Sequence, residues 1–476
     1  MAVRVVAIGG SDAGISAALR AGELDPSAEV IVVVADAYPN FSICGSPYYV
    51  SGDVADWRNL AHRTVADLEA TGMRLRLDTT AERIDADAHE AHVTDAAGQR
   101  EVIGYDTLVI GTGALPVRPD IVGLDHLGGA DAVHVLHSMA DTFAVMRSLQ
   151  TSTARTAAII GAGYLGLEMA EALTARGIAV TQIEQLPEVL PAVDSELGSL
   201  VASELRSRGV EVLAGTVVKR IAGDDSDLRR RIRIDGATAD GAPFERTVDV
   251  VLVFAGVRPD VSLAADAGAR LGTRGAIDVD RQMRTNLTDV YAAGDCVVTH
   301  HRLLGSAYIP LGTTAHKQGR VAGENALGGR REFAGSLGTQ VVKVFDLVAS
   351  RTGLRDHEAA AAGFEPLTVA AEADDHKAYY PGAHRIAMRW TGDRRTGRLL
   401  GVQLVGHKDA EVAKRIDVAA TAIYSGMSVH AVNELDLSYT PPLGSPWDAM
   451  QHGAQAWARA AAETGGRVPS SVDPDI

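Results

Sequence analysis

Apolar and polar positions along this chain form one pattern that occurs twice. Residues 3–8 are an apolar run, followed by Gly9-Gly10-Ser11-Asp12-Ala13-Gly14, an Ala-rich helical stretch and a second apolar run at 30–34. Residues 156–160 are again apolar, followed by Gly161-Ala162-Gly163-Tyr164-Leu165-Gly166, a helix-like stretch and an apolar run at 178–183. Each pattern predicts strand, glycine turn, helix, strand. Such a unit binds a dinucleotide at the start of its helix, so two copies predict two sites in two Rossmann-like domains. From residue 340 the pattern changes. Apolar β-branched runs at 340–344 and 399–405 precede an apparent helix at 410–424, which predicts a third, α+β domain. Residues 223–233 are densely charged and predict a surface hairpin, and 463–476 are rich in Gly, Ser, Pro and Asp and predict a tail.

Composition narrows the classes. With 476 residues the chain is too long for one hydrophobic core. A net charge of -16 argues against nucleic acid and anionic membrane as partners, both of which require basic surface. No apolar run reaches bilayer length, and the N-terminus lacks the pattern of a signal peptide. Two cysteines, Cys44 and Cys296, cannot make a secreted disulfide framework, so a reducing cytoplasmic setting is expected. No metal site is expected.

The two glycine turns differ. In the second, Gly161 permits the tight turn, Gly163 lets backbone approach a pyrophosphate, and Gly166 allows helix and strand to pack closely. The helix start at Tyr164-Leu165 offers N–H groups to phosphate. Glu184 ends the following strand, where an acid holds an adenine ribose and favours NADH over NADPH by repelling a 2′-phosphate. In the first turn Ser11 stands where a second glycine is usual, and Asp36 is the acidic candidate. Two distant segments support that turn. Residues 105–114 run into Thr112-Gly113, and residues 290–296 run into Gly294-Asp295, which can set a carboxylate against the polyol of a flavin.

Cys44 lies in Phe41-Ser42-Ile43-Cys44-Gly45-Ser46-Pro47-Tyr48-Tyr49. Pro47 suits the first turn of a helix, and a cysteine at a helix start has a stabilised thiolate. The alternative is an inert buried thiol, the expectation for Cys296. No second cysteine lies four residues on, so a redox cycle at Cys44 needs a mixed disulfide, a persulfide or a sulfenic acid.

Together with Gly256-Val257-Arg258-Pro259 and Ala292-Ala293-Gly294-Asp295, these motifs resemble the pyridine nucleotide-disulfide oxidoreductases. The single cysteine resembles the branch of coenzyme A-disulfide reductases and NADH oxidases. The resemblance implies FAD and NADH or NADPH as cofactors, and a homodimer. It also implies FAD-binding segments 1–120 and 251–330, a nucleotide domain 121–250, a dimerisation domain 331–452 and a tail 453–476. FAD is expected on Gly9, Gly10, Ser11, Asp12, Ala13, Gly14, Asp36, Thr112, Gly113, Gly256, Gly294 and Asp295, with Leu311 and Thr314 along the ring system. Cys44 would face the flavin. Tyr439, with Tyr379 and Tyr380, resembles tyrosines that reach the partner's active site. Ser16, Arg20 and Asn40 are the expected substrate contacts, although Glu23 stands where a basic residue is usual, unfavourably for a phosphate. The expected reaction is reduction of a small disulfide or persulfide, coenzyme A being one carrier. The alternatives are reduction of dioxygen through a sulfenic acid, and a flavin-based redox sensor.

Overall fold

The run expected at residues 3–8 forms the strand Arg4–Ile8, with Val5 to Ile8 buried on both faces, as a central parallel strand requires. It pairs with Glu29–Val33 on one side and Thr107–Ile110 on the other, in parallel. Val290–Ala292 and Arg74–Arg76 complete five strands at the two edges. The computed structural model describes residues 2–151, 154–223 and 231–463. These fall into two units, each taken by itself: residues 2–118, 135–143 and 255–336, and the described parts of 119–134, 144–254 and 337–463.

In the first unit the helix Asp12–Leu24 follows the first strand, and Gly312–Asn325 packs along it. The two helices touch backbone to backbone. A Cβ on Gly319 would lie 2.3 Å from the carbonyl oxygen of Ala13, and one on Gly323 would lie 2.2 Å from that of Ala17. Three antiparallel strands, Thr79–Asp85, Glu90–Asp95 and Arg100–Gly104, form a separate small sheet. Residues 135–143 were expected in the nucleotide domain but pack in this unit. Thr142 donates to the buried Ser46 hydroxyl at 2.9 Å, and Phe143 joins an aromatic cluster with Tyr38 and Trp57.

The second unit repeats the arrangement. Thr156–Ile160 lies between Ala179–Ile183 and Val250–Val253, all parallel, with Glu211–Leu213 and Val133–His134 at the edges. Val217–Gly223 and Ile232–Ala237 pair antiparallel around the charged stretch, of which 224–230 lie outside the described residues. Residues 340–407 build a five-stranded antiparallel sheet, followed by the helix Val412–Tyr424. Residues 453–463, expected within a tail, belong to a final helix, Ala449–Glu463. Its Ala454, Trp457 and Ala461 recur on one buried face, and the Trp457 indole donates to the Leu367 carbonyl at 2.8 Å. The rest of that expected tail lies outside the described residues.

Candidate active site

In the first unit the glycine turn is held by backbone contact. Gly9 has φ +121°, and a Cβ there would lie 2.0 Å from the Gly111 carbonyl oxygen. A Cβ on Gly14 would lie 2.1 Å from that of Gly9. Ser11 caps the helix in extended conformation without a side-chain cap bond, and Asp12 and Ala13 open its first turn. Against this turn stand two further segments. The Asn40 N–H donates to the Gly10 carbonyl at 2.7 Å, and a Cβ on Gly294 would lie 2.8 Å from Ala13 Cβ. Thr112 donates to the Asp260 carbonyl at 2.6 Å, while Gly113 and Gly256 face open space. Leu311 precedes the helix whose Thr314 is buried. Asp36 is exposed, its carboxylate accepting the Tyr38 N–H at 2.8 Å.

Two orphaned polar groups mark this turn as a ligand cradle. Asp295 Oδ1 is buried and has no hydrogen-bond partner among the described residues. Burial, with the Asp12 charge adding to it, pushes the Asp295 carboxyl up to about 6. Such a group is stable only beside donors that the chain does not supply. The Asn40 amide, 1 % exposed, likewise lacks partners at both polar atoms. The hydroxyls and phosphates of FAD fit these needs. Sequence reasoning missed two supports of Asp295. The Gln318 side chain accepts the Gly294 N–H at 2.9 Å, and the Tyr308 hydroxyl donates to the Asp295 carbonyl at 2.9 Å. Neither stands in a recognisable motif.

Cys44 is exposed, in a 3₁₀ turn, Ile43–Gly45, that runs into the helix Ser46–Ser51 with Pro47 in its first turn. Residues 40–42 pair with 60–62, through Phe41 opposite Ala61 and the Ser42 N–H donated to the Leu60 carbonyl at 2.8 Å. Cys296 contrasts in every respect. It is fully buried, its sulfur packs on the Ala293 and Ile110 carbonyls, and burial pushes its thiol up to about 11.

The second unit separates the roles of its three glycines. A Cβ on Gly161 would lie 2.0 Å from the Phe254 carbonyl oxygen, and one on Gly166 would lie 2.1 Å from that of Gly161. Gly163 differs, because a Cβ there meets nothing within 4 Å and its φ of -77° suits any residue. Among the described residues no packing or backbone constraint requires glycine at 163, which leaves the space there open to close approach of a ligand. Gly161→Ala is therefore expected to destabilise the unit by several kcal/mol through overpacking and strain. Gly163→Ala should keep the wild-type Tm and raise the KM for the nicotinamide nucleotide about tenfold. Thermal melts beside steady-state kinetics check both, and equal losses of Tm would remove the distinction.

Glu184 is buried, and its carboxylate accepts the N–H groups of Ala162 and Leu186, each at 2.8 Å. It therefore braces the glycine turn from the end of the neighbouring strand. Leu165 lies in the first turn of the helix that begins at Tyr164. The Tyr164 hydroxyl is buried without a partner among the described residues, and burial raises its pKa.

The C-terminal sheet brings together residues far apart in sequence. The loop carrying Tyr379 meets the segment carrying Tyr439, where the Lys377 N–H reaches the Pro441 carbonyl at 3.3 Å. Tyr379, Tyr380, Tyr439, Leu443 and Trp447 are all exposed. Among the described residues no helix is long and apolar enough to cross a membrane.

Residues 3–319 match the family described as Pyridine nucleotide-disulphide oxidoreductase, and 339–450 match the dimerisation domain of the same description. The chain is 34% identical over 449 residues to an NAD(P)H sulfur oxidoreductase (CoA-dependent) of Pyrococcus furiosus, covering 94% of this chain and 97% of the relative. It is 29% identical to an NADH oxidase of Methanocaldococcus jannaschii, covering 95% and 98%. The solved structure of an NAD-dependent persulfide reductase from A. fulgidus superposes with a TM-score of 0.89 at 37% identity, covering 97% of this chain and 84% of that one.

Proposed function

The chain belongs to the pyridine nucleotide-disulphide oxidoreductase family, and on that premise we propose that it reduces a small-molecule disulfide or persulfide through Cys44, working as a cytoplasmic homodimer. It is an oxidoreductase that works with FAD and NAD(P)H. The observation that carries the reading is an exposed cysteine at a helix start, in the same unit as a buried acceptor without a partner at Asp295.

FAD, when bound, supplies two-electron transfer between a nicotinamide and a thiol. Gly9, Gly10, Ser11, Ala13 and Gly14 would hold its pyrophosphate, Asp295 its polyol, and Thr112, Gly113, Leu311 and Thr314 its remaining surfaces. Cys44 carries the sulfur chemistry. Its thiolate attacks RS–SR′, forming the Cys44–S–S–R bond and releasing R′S⁻, which takes a proton from solvent. Two electrons and one proton, originating from NAD(P)H and solvent, then return Cys44 to thiolate and release RSH. In the proposed dimer, Tyr379 and Tyr439 complete the partner's site, and the exposed aromatic patch around them becomes interface.

The helix face bearing Ser16 and Arg20 bears on the acceptor. Arg20 lies 2.7 Å from Glu324 and 3.3 Å from Glu23, and Arg320 lies 3.0 Å from Glu23. The Arg320 hydrogen bond first, and Arg20 next, hold Glu23 below the usual carboxylate range, so it remains charged. A phosphate brought to Arg20 meets these carboxylates, which favours a compact sulfur acceptor over one carrying a phosphorylated nucleoside. The reading is tested by anaerobic NADH consumption with polysulfide, with coenzyme A disulfide and with neither. Turnover dependent on a sulfur acceptor supports it. Fast consumption on adding dioxygen alone would instead make the chain an NADH oxidase, and slow consumption with every acceptor would make it a sensor.

Glu184 supports NADH as the nucleotide. A 2′-phosphate placed beside its buried carboxylate meets like charge. Glu184→Ala is expected to raise the ratio of kcat/KM for NADPH over NADH about tenfold or more, with some loss for both because two backbone N–H groups lose their acceptor. An unchanged ratio would assign Glu184 to bracing the turn alone.

A further inference from the structure

Three side chains of the first unit that can ligate a metal converge beside the glycine turn, and none of them enters the sulfur steps proposed for Cys44. Asp12 begins the helix Asp12–Leu24, His62 ends the segment paired with residues 40–42, and His316 lies early in Gly312–Asn325. One ligand atom from each lies within 4.8 Å of the other two.

The spacing is compatible with a shared ion. Asp12 Oδ1 and His316 Nε2 are 3.3 Å apart. A charge-assisted hydrogen bond between them would close to about 2.7–2.9 Å. Two donors held about 2.05 Å from one tetrahedral ion stand about 3.3–3.4 Å apart, a spacing the pair can adopt around a shared ion. The orientation of His316 agrees. Its Nδ1 lies 2.9 Å from the hydroxyl of Ser16, which is 7 % exposed. In the tautomer that donates from Nδ1 to Ser16, the Nε2 lone pair would face Asp12 and an ion held there, the outer contact that orients ligating histidines. The other oxygen of Asp12 lies close over Gly312, the one residue type that leaves it space there. A Cβ there would lie 2.7 Å from Oδ2. Asp12 and His316 are both half-buried, so carboxylate and imidazole are partly desolvated. Only His62, exposed, has to close in.

We propose that Asp12, His62 and His316 form a site for one divalent cation of the zinc or nickel class. Two imidazoles and a carboxylate suit these ions, whereas Mg²⁺ and Ca²⁺ select all-oxygen shells. Three protein ligands leave a fourth position open, as in zinc sites that exchange a ligand. Another His–His–Asp group, His384, His407 and Asp409, is the natural control. Its ligand atoms also lie within 4.8 Å of one another, but its imidazoles stack face to face at 3.8 Å and 14°.

The flavin-loaded protein, stripped of metal and dialysed against micromolar Zn²⁺, should retain about one zinc per chain by elemental analysis. His62→Gln and His316→Gln should each weaken retention at least about tenfold while flavin content and melting temperature stay at wild-type values. Cys44→Ser and His384→Gln should retain zinc as the wild type does. No retention by the wild type, full retention by His62→Gln, or loss in Cys44→Ser would each overturn the assignment. Retention is a binding measurement, so its outcome is independent of whether any disulfide is reduced.

Discussion

Replacing Cys44 with serine is expected to lower NADH-dependent reduction of a disulfide or persulfide by about three orders of magnitude or more, with flavin content unchanged. A hydroxyl does not ionise near neutral pH and cannot form the mixed disulfide, so the variant lacks the step and not merely some of its rate. Cys44 is exposed at the start of Ser46–Ser51, whose anchors are the buried Ser46 and Pro47, so the exchange of sulfur for oxygen leaves those anchors in place. Cys296→Ser is the internal control, since that thiol is fully buried with its pKa raised. Stopped-flow reduction of the bound flavin by NADH should remain at wild-type rate in Cys44→Ser. A variant that kept a tenth of wild-type disulfide turnover would show that the reacting sulfur is elsewhere.

Asp295→Asn is expected to act in opposite directions on the two forms of the protein. In the apoprotein the folded-state pKa is raised from 3.8 to about 6 by burial. The unfolded chain releases this proton near pH 4, while the folded chain keeps it until about pH 6. Stability of the apoprotein therefore falls as pH rises through that window and levels off above it. At neutral pH the cost is at most about 3 kcal/mol. Asparagine removes the ionisation, so apo-Asp295→Asn should melt higher than apo wild type at pH 7, and its stability should no longer fall between pH 4 and 6 on account of this group. In the flavin-loaded protein the same substitution takes away a charged acceptor, a loss of about 1.5–3 kcal/mol, or roughly 10- to 100-fold in FAD affinity. Denaturant melts of both forms at several pH values, with fluorimetric titration of FAD, test the pair. Unchanged FAD affinity together with unchanged apo stability would remove Asp295 from the site.

What could be read from the sequence was whatever is local. The two glycine turns, their strands and their helices span about thirty residues each, and their spacing encodes their geometry. The Cys44 segment was legible for the same reason, since Pro47 and Gly45 stand beside it. Sites assembled across the chain were not. Asp12 and His316 are separated by about three hundred positions and meet only because Gly319 and Gly323 let two helices touch. Gln318, which accepts the Gly294 N–H, lies in the same helix as His316 and was invisible for that reason. Residues 135–143 were misplaced because nothing in their composition reports that Thr142 bonds to Ser46. Residues 453–463 were placed in the tail because alanine dominates them, and their one large anchor, Trp457, has its partner in the sheet.

The order of segments in the first unit has a consequence for biosynthesis. A ribosome that has reached residue 254 has synthesised every strand of the parallel sheet around Thr156–Ile160. The N-terminal sheet at that moment lacks Val290–Ala292, so Thr107–Ile110 is an open edge, and Ala13 and Ala17 have no helix against them. The nascent polypeptide can close that half only once residue 325 has emerged. Capture of the coloured prosthetic group is thus a late event of translation, and a message truncated between codons 254 and 290 would yield a product able to assemble its second parallel sheet but not its first.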